Sequence, residues 1–131
     1  MEKVSITQFL NQHIPDLIAI YQFGSQVHGT ARPDSDIDLA VLALTRTPAE
    51  RLFHLAQELA IQLGCTVDLL DLRSTTTVMR AQIIGIGRCL KSHDDQARAE
   101  FEMYAYSDYA RLNGERRDLL KDIKERGLIS G

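Results

Sequence analysis

Residues 24–42, GSQVHGTARPDSDIDLAVL, hold the pattern that predicts the fold, because a polar segment here leads into an apolar run. The segment directly before it, LIAIYQF at residues 17–23, is apolar at odd and even positions alike, which predicts an interior strand. The segment DIDLAVLA at residues 36–43 predicts a second strand. The Gly, Pro, Asp and Ser residues between them are typical turn formers. The sequence therefore predicts two strands joined by a polar connection.

Helices and further strands are predicted on either side of this pair. The spacing of apolar residues predicts helices over 5–13, 48–63, 75–84, 94–112 and 115–126, and strands over 66–72 and 88–90. Gly85 and Gly87 are expected to interrupt the third helix, Asn113-Gly114 to divide the last two, and Gly127 to close the final one. Strands that alternate with helices before a helical end indicate an α/β or α+β domain with one central sheet.

Length and composition limit the class of protein. The chain has 131 residues, of which 44% are hydrophobic, and a formal net charge of −3, which suits one globular domain. It contains neither an apolar run of about 18 residues nor an apolar signal core, so we expect a cytoplasmic protein with no membrane span. The charge argues against direct nucleic-acid binding. Cys65 and Cys89 are expected to be buried small hydrophobes without a zinc site.

Two carboxylates, Asp36 and Asp38, stand at the start of the second predicted strand. Alternate side chains of a strand share one face, which places the two about 6–7 Å apart along it. Like charges at this distance repel each other, and a divalent cation with oxygen ligands, most plausibly Mg²⁺, would relieve the repulsion. An isolated pair of this kind is usually a solvated strand entry, so the metal interpretation depends on two further features.

The further features are Gly24-Ser25 and the strand TVDLLDL at residues 66–72. Glycine lets the backbone approach a ligand closely, and exposed N–H groups with the serine hydroxyl can bind phosphate oxygens. Asp68 and Asp71 differ in parity, so only one can face the carboxylate pair. The apolar composition predicts an interior strand with Asp68 as the deeper carboxylate and Asp71 as a cap. This set suits nucleotidyl transfer by two metal ions, with the third carboxylate accepting a proton.

The spacing Gly24-Ser25, ten residues, Asp36-Ile37-Asp38 resembles the nucleotidyltransferase superfamily that includes DNA polymerase β. The short chain resembles the minimal nucleotidyltransferases (MNT) of that superfamily. The resemblance covers residues 17–72, the expected catalytic core of a single domain spanning 1–131. It implies a nucleotidyltransferase fold with a central mixed sheet flanked by helices.

The resemblance also implies a role for each site residue. Gly24 and Ser25 would hold the β- and γ-phosphates of a nucleoside triphosphate. Asp36 and Asp38 would bind two Mg²⁺ ions. Asp68 would complete one metal site and help to deprotonate the acceptor, although Asp71 remains an alternative third carboxylate.

The chain departs from the pattern of many minimal members at two positions of the polar connection. It has Gln26 and His28 where they have arginine, so a triphosphate contact from these positions is not expected. His28 and the nearby Arg32 are predicted to lie on the loop surface.

Minimal nucleotidyltransferases of this kind resemble the antitoxin of HEPN–MNT toxin–antitoxin pairs. The resemblance implies transfer of AMP from ATP to a tyrosine of a HEPN RNase toxin, which silences the toxin. Residues 94–131 could then form a partner surface, with ordinary packing or solvation as the alternative for its polar and aromatic residues Tyr104, Tyr106, Tyr109, Arg111, Arg116 and Arg117.

Two other functions remain open at this point. The protein could be an antitoxin that acts by binding and occlusion alone. It could also adenylylate a small molecule such as an aminoglycoside, which would need an acidic acceptor pocket. That pocket, or more simply a helix N-terminus favoured by the helix dipole, could be formed by Asp94, Asp95, Glu100 and Glu102.

Overall fold

The computed structural model describes residues 5–24 and 36–125, which form a four-stranded mixed sheet with four helices. The elements in chain order are α1 (Ile6–His13), β1 (Leu17–Phe23), β2 (Ile37–Ala43), α2 (Ala49–Leu63), β3 (Val67–Asp71), α3 (Thr77–Ile86), β4 (Arg88–Ser92) and α4 (Asp95–Glu125). The strand order is β3-β2-β1-β4, with β1 antiparallel to β2 and β4 and with β2 parallel to β3. The predicted sheet with flanking helices is confirmed.

The two central strands are buried on both faces, which explains their nearly continuous apolar sequences. Along β2, Leu39 and Val41 belong to a core shared with α1 and α2, whereas Ala40 and Leu42 belong to a second core on the opposite face. Strand β1 is divided between the same two cores. The predicted interior position of β1 is therefore confirmed. Packing on both faces of the sheet holds the ends of β1 and β2 in place.

Local signals in the sequence place the ends of the first two helices. The Ser5 side chain accepts a hydrogen bond from the Gln8 N–H at 3.3 Å and caps α1. Helix α2 ends at Gly64, which is left-handed with φ +73° and donates its N–H to the Ala60 carbonyl. These termini agree with the predicted ones.

Two predicted interruptions of helices are wrong. Helix α3 continues through Gly85 to Ile86, so the interruption expected at Gly85 is wrong. Gly87 does end the helix as predicted, and its N–H donates to the Ile83 carbonyl at 2.9 Å. Helix α4 continues through Asn113 and Gly114 over 31 residues. A glycine inside a helix costs only about 1 kcal/mol relative to alanine, which the helix-forming residues around it can offset. The predicted closing residue, Gly127, lies outside the described residues.

The predicted interior position of β3 is also wrong. Among the described residues β3 pairs only with β2, so it is an edge strand of the sheet. Helix α2 packs against it, and Leu69 and Leu70 are half-buried. Its apolar composition reflects this cover by a helix rather than a strand on each side.

Helix α4 is held against the sheet by its first turns. The Tyr21 hydroxyl, on β1, donates a hydrogen bond of 2.6 Å to Glu102 Oε1. Burial, followed by this contact with Glu102, raises the pKa of Tyr21 far above its usual range, so the phenol remains a donor. The guanidinium carbons of Arg73 and Arg80 lie 5.3 and 5.9 Å from the centre of the Phe101 ring. These contacts fix where α4 leaves the sheet.

The rest of α4 extends away from this anchor. At about 1.5 Å per residue the helix is about 46 Å long. Most residues from 110 to 125 are exposed. None of the helices in the described ranges combines the length and apolar character needed to span a membrane.

The anchor predicts a loss of stability in Tyr21→Phe. The substitution keeps the ring but leaves the Glu102 carboxylate without its donor, so the free energy of unfolding should fall by about 1.5 kcal/mol. Urea denaturation measures the loss. The matched control is Tyr104→Phe, because the Tyr104 side chain is 71% exposed and should change stability by less than about 0.5 kcal/mol. Equal stability of the two variants would contradict the anchor.

Candidate active site

The first part of the site is the close approach of Gly24 to Asp38. Strand β1 pairs Phe23 with Asp38, and Gly24 follows with φ +83°, a conformation that favours glycine. A Cβ at Gly24 would collide with Asp38 Oδ2 and lie 3.3 Å from Cγ. The missing side chain therefore leaves space for backbone and carboxylate to face the same ligand.

The second part is a set of neighbouring carboxylates at the start of β2 and β3. The parallel register pairs Asp38 with Asp68, and Asp36 lies just before β2 and is exposed. Burial raises the pKa of Asp38 above its usual range, and the negative charge of Asp68, a hydrogen bond to Asp68 and the charge of Asp36 raise it further. The sheet therefore holds Asp38 where its charge is unfavourable, which a bound cation would correct.

These residues fit a magnesium ion that is shared with a substrate. In proteins Mg²⁺ typically binds one or two carboxylates together with substrate phosphates, and dedicated all-protein cages are less common. Within residues 5–24 and 36–125, no three acidic, His or Cys side chains already form a complete ligand set. The exposed carboxylates of Asp36 and Asp68 beside Asp38 leave room for phosphate and water ligands. The carboxylates would thus occupy only some of the coordination positions of a bound ion.

The structure separates the two carboxylates of β3. Asp71 is 3% exposed, and its oxygens accept hydrogen bonds from Thr47 N–H at 3.1 Å, Arg73 N–H at 3.0 Å and Ser74 Oγ at 2.8 Å. It thus fixes the turns that follow β2 and β3. Asp68 is exposed, so the expectation that it would be the deeper carboxylate is wrong. The reason is that β3 lies at the edge of the sheet.

Several residues singled out in the sequence lie outside the described residues. These are Ser25, Gln26, His28 and Arg32, all in the connection between β1 and β2. The assignment of Ser25 to phosphate binding therefore stays a prediction.

Two of the acidic residues around the start of α4 have structural partners. Asp94 Oδ1 accepts a hydrogen bond from the Ala97 N–H at 3.0 Å and caps the helix. Glu102 accepts the hydrogen bond from Tyr21. These contacts favour the helix N-terminus over an acidic acceptor pocket.

The two cysteines are free and only half-buried, so the expectation of fully buried side chains is wrong. Cys89 lies on β4, at the other edge of the sheet from β3, and its Sγ is 2.8 Å from an Arg98 nitrogen. The polar partner explains why this side chain is not packed as a simple hydrophobe.

One surface near the carboxylates was missed in the sequence. A cavity of about 730 Å³ lies between α2 and β3, and Asp68 is part of its lining. Phe53 and Ile61 on α2 also line it and are 61% and 82% exposed. The signal was present, because both are large hydrophobic residues off the apolar face that Leu52, Leu55 and their helical repeats form.

Comparison with known proteins agrees with this geometry. The family model "Polymerase beta, Nucleotidyltransferase" matches residues 4–96. Protein adenylyltransferase MntA of Shewanella oneidensis is 39% identical over 120 residues, which cover 90% of this chain and 84% of MntA.

Solved structures agree as well. A crystal structure of a toxin–antitoxin with AMP-PNP superposes with a TM-score of 0.80 at 39% identity, covering 91% of this chain and 95% of the matched one. A structure of tri-AMPylated Shewanella oneidensis HEPN toxin in complex with MNT antitoxin has a TM-score of 0.74 at 36% identity, covering 91% and 92%. The resemblance predicted from the sequence is thereby confirmed. The chain belongs to the polymerase β-type nucleotidyltransferase family, together with MntA.

Proposed function

We propose that this protein is a Mg²⁺-dependent antitoxin that transfers AMP from ATP to a tyrosine of a HEPN RNase toxin and so neutralises it. One observation carries the proposal. Asp38 is held opposite Asp68 and beside a glycine that has no room for a side chain. A nucleotidyltransferase that had become a pure binding protein would have no need to keep this unfavourable arrangement of charge.

The relatives support the choice of substrates. The 39% identical relative is a protein adenylyltransferase, one matched complex contains AMP-PNP, and another contains a tri-AMPylated HEPN toxin. This chain covers most of the length of each of them. ATP as donor and a HEPN toxin as acceptor are the substrates that agree with both the relatives and the site.

The residues of this chain have separate tasks in the proposed reaction. Asp36 and Asp38 would hold two Mg²⁺ ions, and the ions would stabilise the negative charge that develops on the phosphate oxygens. Gly24 and Ser25 place the β- and γ-phosphates. The acceptor tyrosine oxygen attacks the α-phosphorus, the bond from that phosphorus to the β-phosphate oxygen breaks, and pyrophosphate leaves. Asp68 accepts the proton of the tyrosine hydroxyl.

We propose that the exposed surface of α4 binds the HEPN toxin. We propose that residues 1–131 are one minimal nucleotidyltransferase domain with residues 17–72 as its catalytic core, working in the cytoplasm where the HEPN toxin acts. Helix α4 exposes large apolar side chains that water does not favour. They are Met103, Tyr104, Tyr106, Leu119 and Leu120. We propose that the toxin covers these side chains when the two proteins bind each other.

The proposal is tested by intact mass spectrometry of a HEPN toxin incubated with this protein, ATP and Mg²⁺. The toxin mass should increase by whole AMP units with the native protein. The double variant Asp36→Asn/Asp38→Asn should show no increase, because it removes the proposed ligands of the cation. No transfer by the native protein, or equal transfer by the double variant, would contradict the proposal.

The charge arrangement predicts that Asp38→Asn stabilises the protein while inactivating it. Burial and neighbouring carboxylates raise the pKa of Asp38, so its ionised form disfavours folding at neutral pH, and this penalty disappears as the pH falls and Asp38 is protonated. Without divalent cations, the neutral variant should melt about 2–4 °C higher than the native protein.

The control for this experiment is Asp118→Asn, which changes an exposed carboxylate on α4. It should leave the melting temperature unchanged. Adding Mg²⁺ together with a non-hydrolysable ATP analogue should stabilise the native protein more than Asp38→Asn, since the variant lacks a proposed ligand of the ion. A lower melting temperature for Asp38→Asn in the absence of Mg²⁺ would argue against unfavourable charge at this position.

The close approach of Gly24 to Asp38 predicts a defect in nucleotide binding for Gly24→Ala. The new Cβ would push the Asp38 carboxylate away, and the affinity for ATP in the presence of Mg²⁺ should fall by about tenfold or more. Fluorescence titration with an ATP analogue measures the affinity.

Gly64→Ala is the matched control. Gly64 also has a positive φ, +73°, but a Cβ there would meet nothing within 4 Å. Both variants should lose about 1 kcal/mol of stability, and only Gly24→Ala should lose nucleotide affinity. Equal nucleotide affinities would show that the contact with Asp38 is unimportant for binding.

A further inference from the structure

A groove runs between α2 and the exposed edge of β3. We call it the α2–β3 groove and define it by Phe53, Gln57, Ile61, Val67, Asp68 and Leu69. Its cavity measures about 730 Å³. A second cavity of about 260 Å³ also has Leu69 in its lining and continues along β3 to Asp71. The open space therefore follows the strand rather than forming a closed pocket.

The groove lies on the acceptor side of the site. Neighbouring strands are about 4.8 Å apart, and the order β3-β2-β1 places Asp38 between Asp68 on one side and Gly24 on the other. The proposed function puts the triphosphate at Gly24. The attacking hydroxyl must then reach the phosphorus from the side of Asp68, which is the side where the groove opens.

The edge of β3 offers unpaired backbone groups to this groove. Ile37 N–H donates to the Thr66 carbonyl at 2.9 Å, and Leu72 N–H donates to the Val41 carbonyl at 3.0 Å. Because backbone groups of alternate residues point to opposite sides of a strand, those of Val67 and Leu69 point away from β2. In the described part of the chain no strand pairs with them. Such an edge can accept an extended peptide as an additional strand.

The opposite wall of the groove presents apolar side chains to solvent. Phe53, Gln57 and Ile61 are spaced by four residues on one face of α2. Phe53 is 61% exposed and Ile61 is 82% exposed. Asp68 is the only charged residue among the described residues that line the larger cavity. The groove thus suits an uncharged or basic segment with apolar side chains.

We propose that the α2–β3 groove binds an extended segment of the acceptor protein and brings its tyrosine hydroxyl to Asp68. This inference rests on the proposed function, because it specifies how the acceptor of that reaction is held. Val67 and Leu69 pack on the α2 side of the sheet and Leu70 packs on the other side, so strand alternation places Asp68 on the side away from α2. A segment added along β3 would therefore point its tyrosine to the side of Asp68 and the neighbouring side chains to the α2 side. Phe53 and Ile61 act as specificity-determining residues that contact the side chains next to the tyrosine.

Steady-state AMP transfer to a HEPN toxin tests the proposal with Phe53→Ser and Ile61→Ser. Each variant should raise the KM for the toxin by about tenfold, as expected for an aromatic or aliphatic contact at the centre of an interface. The KM for ATP should change by less than about twofold, since neither residue lies near Gly24. Unchanged melting temperatures would exclude a general loss of folding.

The control is Met79→Ser. Met79 is an exposed apolar side chain on α3 that does not line the α2–β3 groove. It should leave the KM for the toxin unchanged. An equal rise of this KM in Met79→Ser, or no rise in Phe53→Ser and Ile61→Ser, would overturn the assignment.

Photo-cross-linking gives a second, independent result. Benzoylphenylalanine in place of Gln57 should cross-link to the toxin peptide that carries the AMPylated tyrosine. Cross-links confined to a distant toxin segment would overturn the proposal. If the native protein transfers no AMP at all, the proposed function fails instead, whereas native transfer with unaffected groove variants shows that only the acceptor groove is wrong.

Discussion

The register of the central strands is the constraint on which the rest of the structure depends, because it brings several carboxylates together at one corner of the sheet. The parallel register fixes Asp38 on β2 opposite Asp68 on β3, and Asp36 lies just before β2. Burial of Asp38, followed by the negative charges of Asp68 and Asp36, makes this corner unfavourable for folding, as the raised pKa of Asp38 indicates. The arrangement persists because β1 and β2 are buried on both faces and leave the strands no freedom to separate.

Because β3 is an edge strand, its two carboxylates have different surroundings: one stabilises the fold and the other is accessible to a substrate. Asp71 is buried and fixes two turns, so it stabilises the domain from the end of the strand. Asp68 is exposed at the start of the same strand and can meet a second substrate. If β3 were an interior strand, another strand would cover the place from which we expect the acceptor to approach. The edge therefore serves the proposed chemistry, although within the described residues part of the strand backbone has no strand partner.

Much of this arrangement could be predicted from the sequence, because local sequence patterns determine it. The apolar runs predicted β1 and β2, and the parity of Asp68 and Asp71 predicted that only one carboxylate could join the site. The edge position of β3 could not be predicted, since an apolar strand covered by a helix has the same composition as an interior strand. A break in α4 was predicted at Asn113-Gly114 because these residues are typical of turns. A glycine inside a long helix costs little free energy, so the helix continues through Gly114.

The most direct test of the carboxylate corner is the location of the metal. Crystals grown with Mn²⁺ and a non-hydrolysable ATP analogue allow the ion to be located by its anomalous scattering. We expect a peak within coordination distance of Asp36 and Asp38, with the nucleotide phosphates beside Gly24. A nucleotide-bound structure in which Mn²⁺ contacts neither carboxylate would contradict the account.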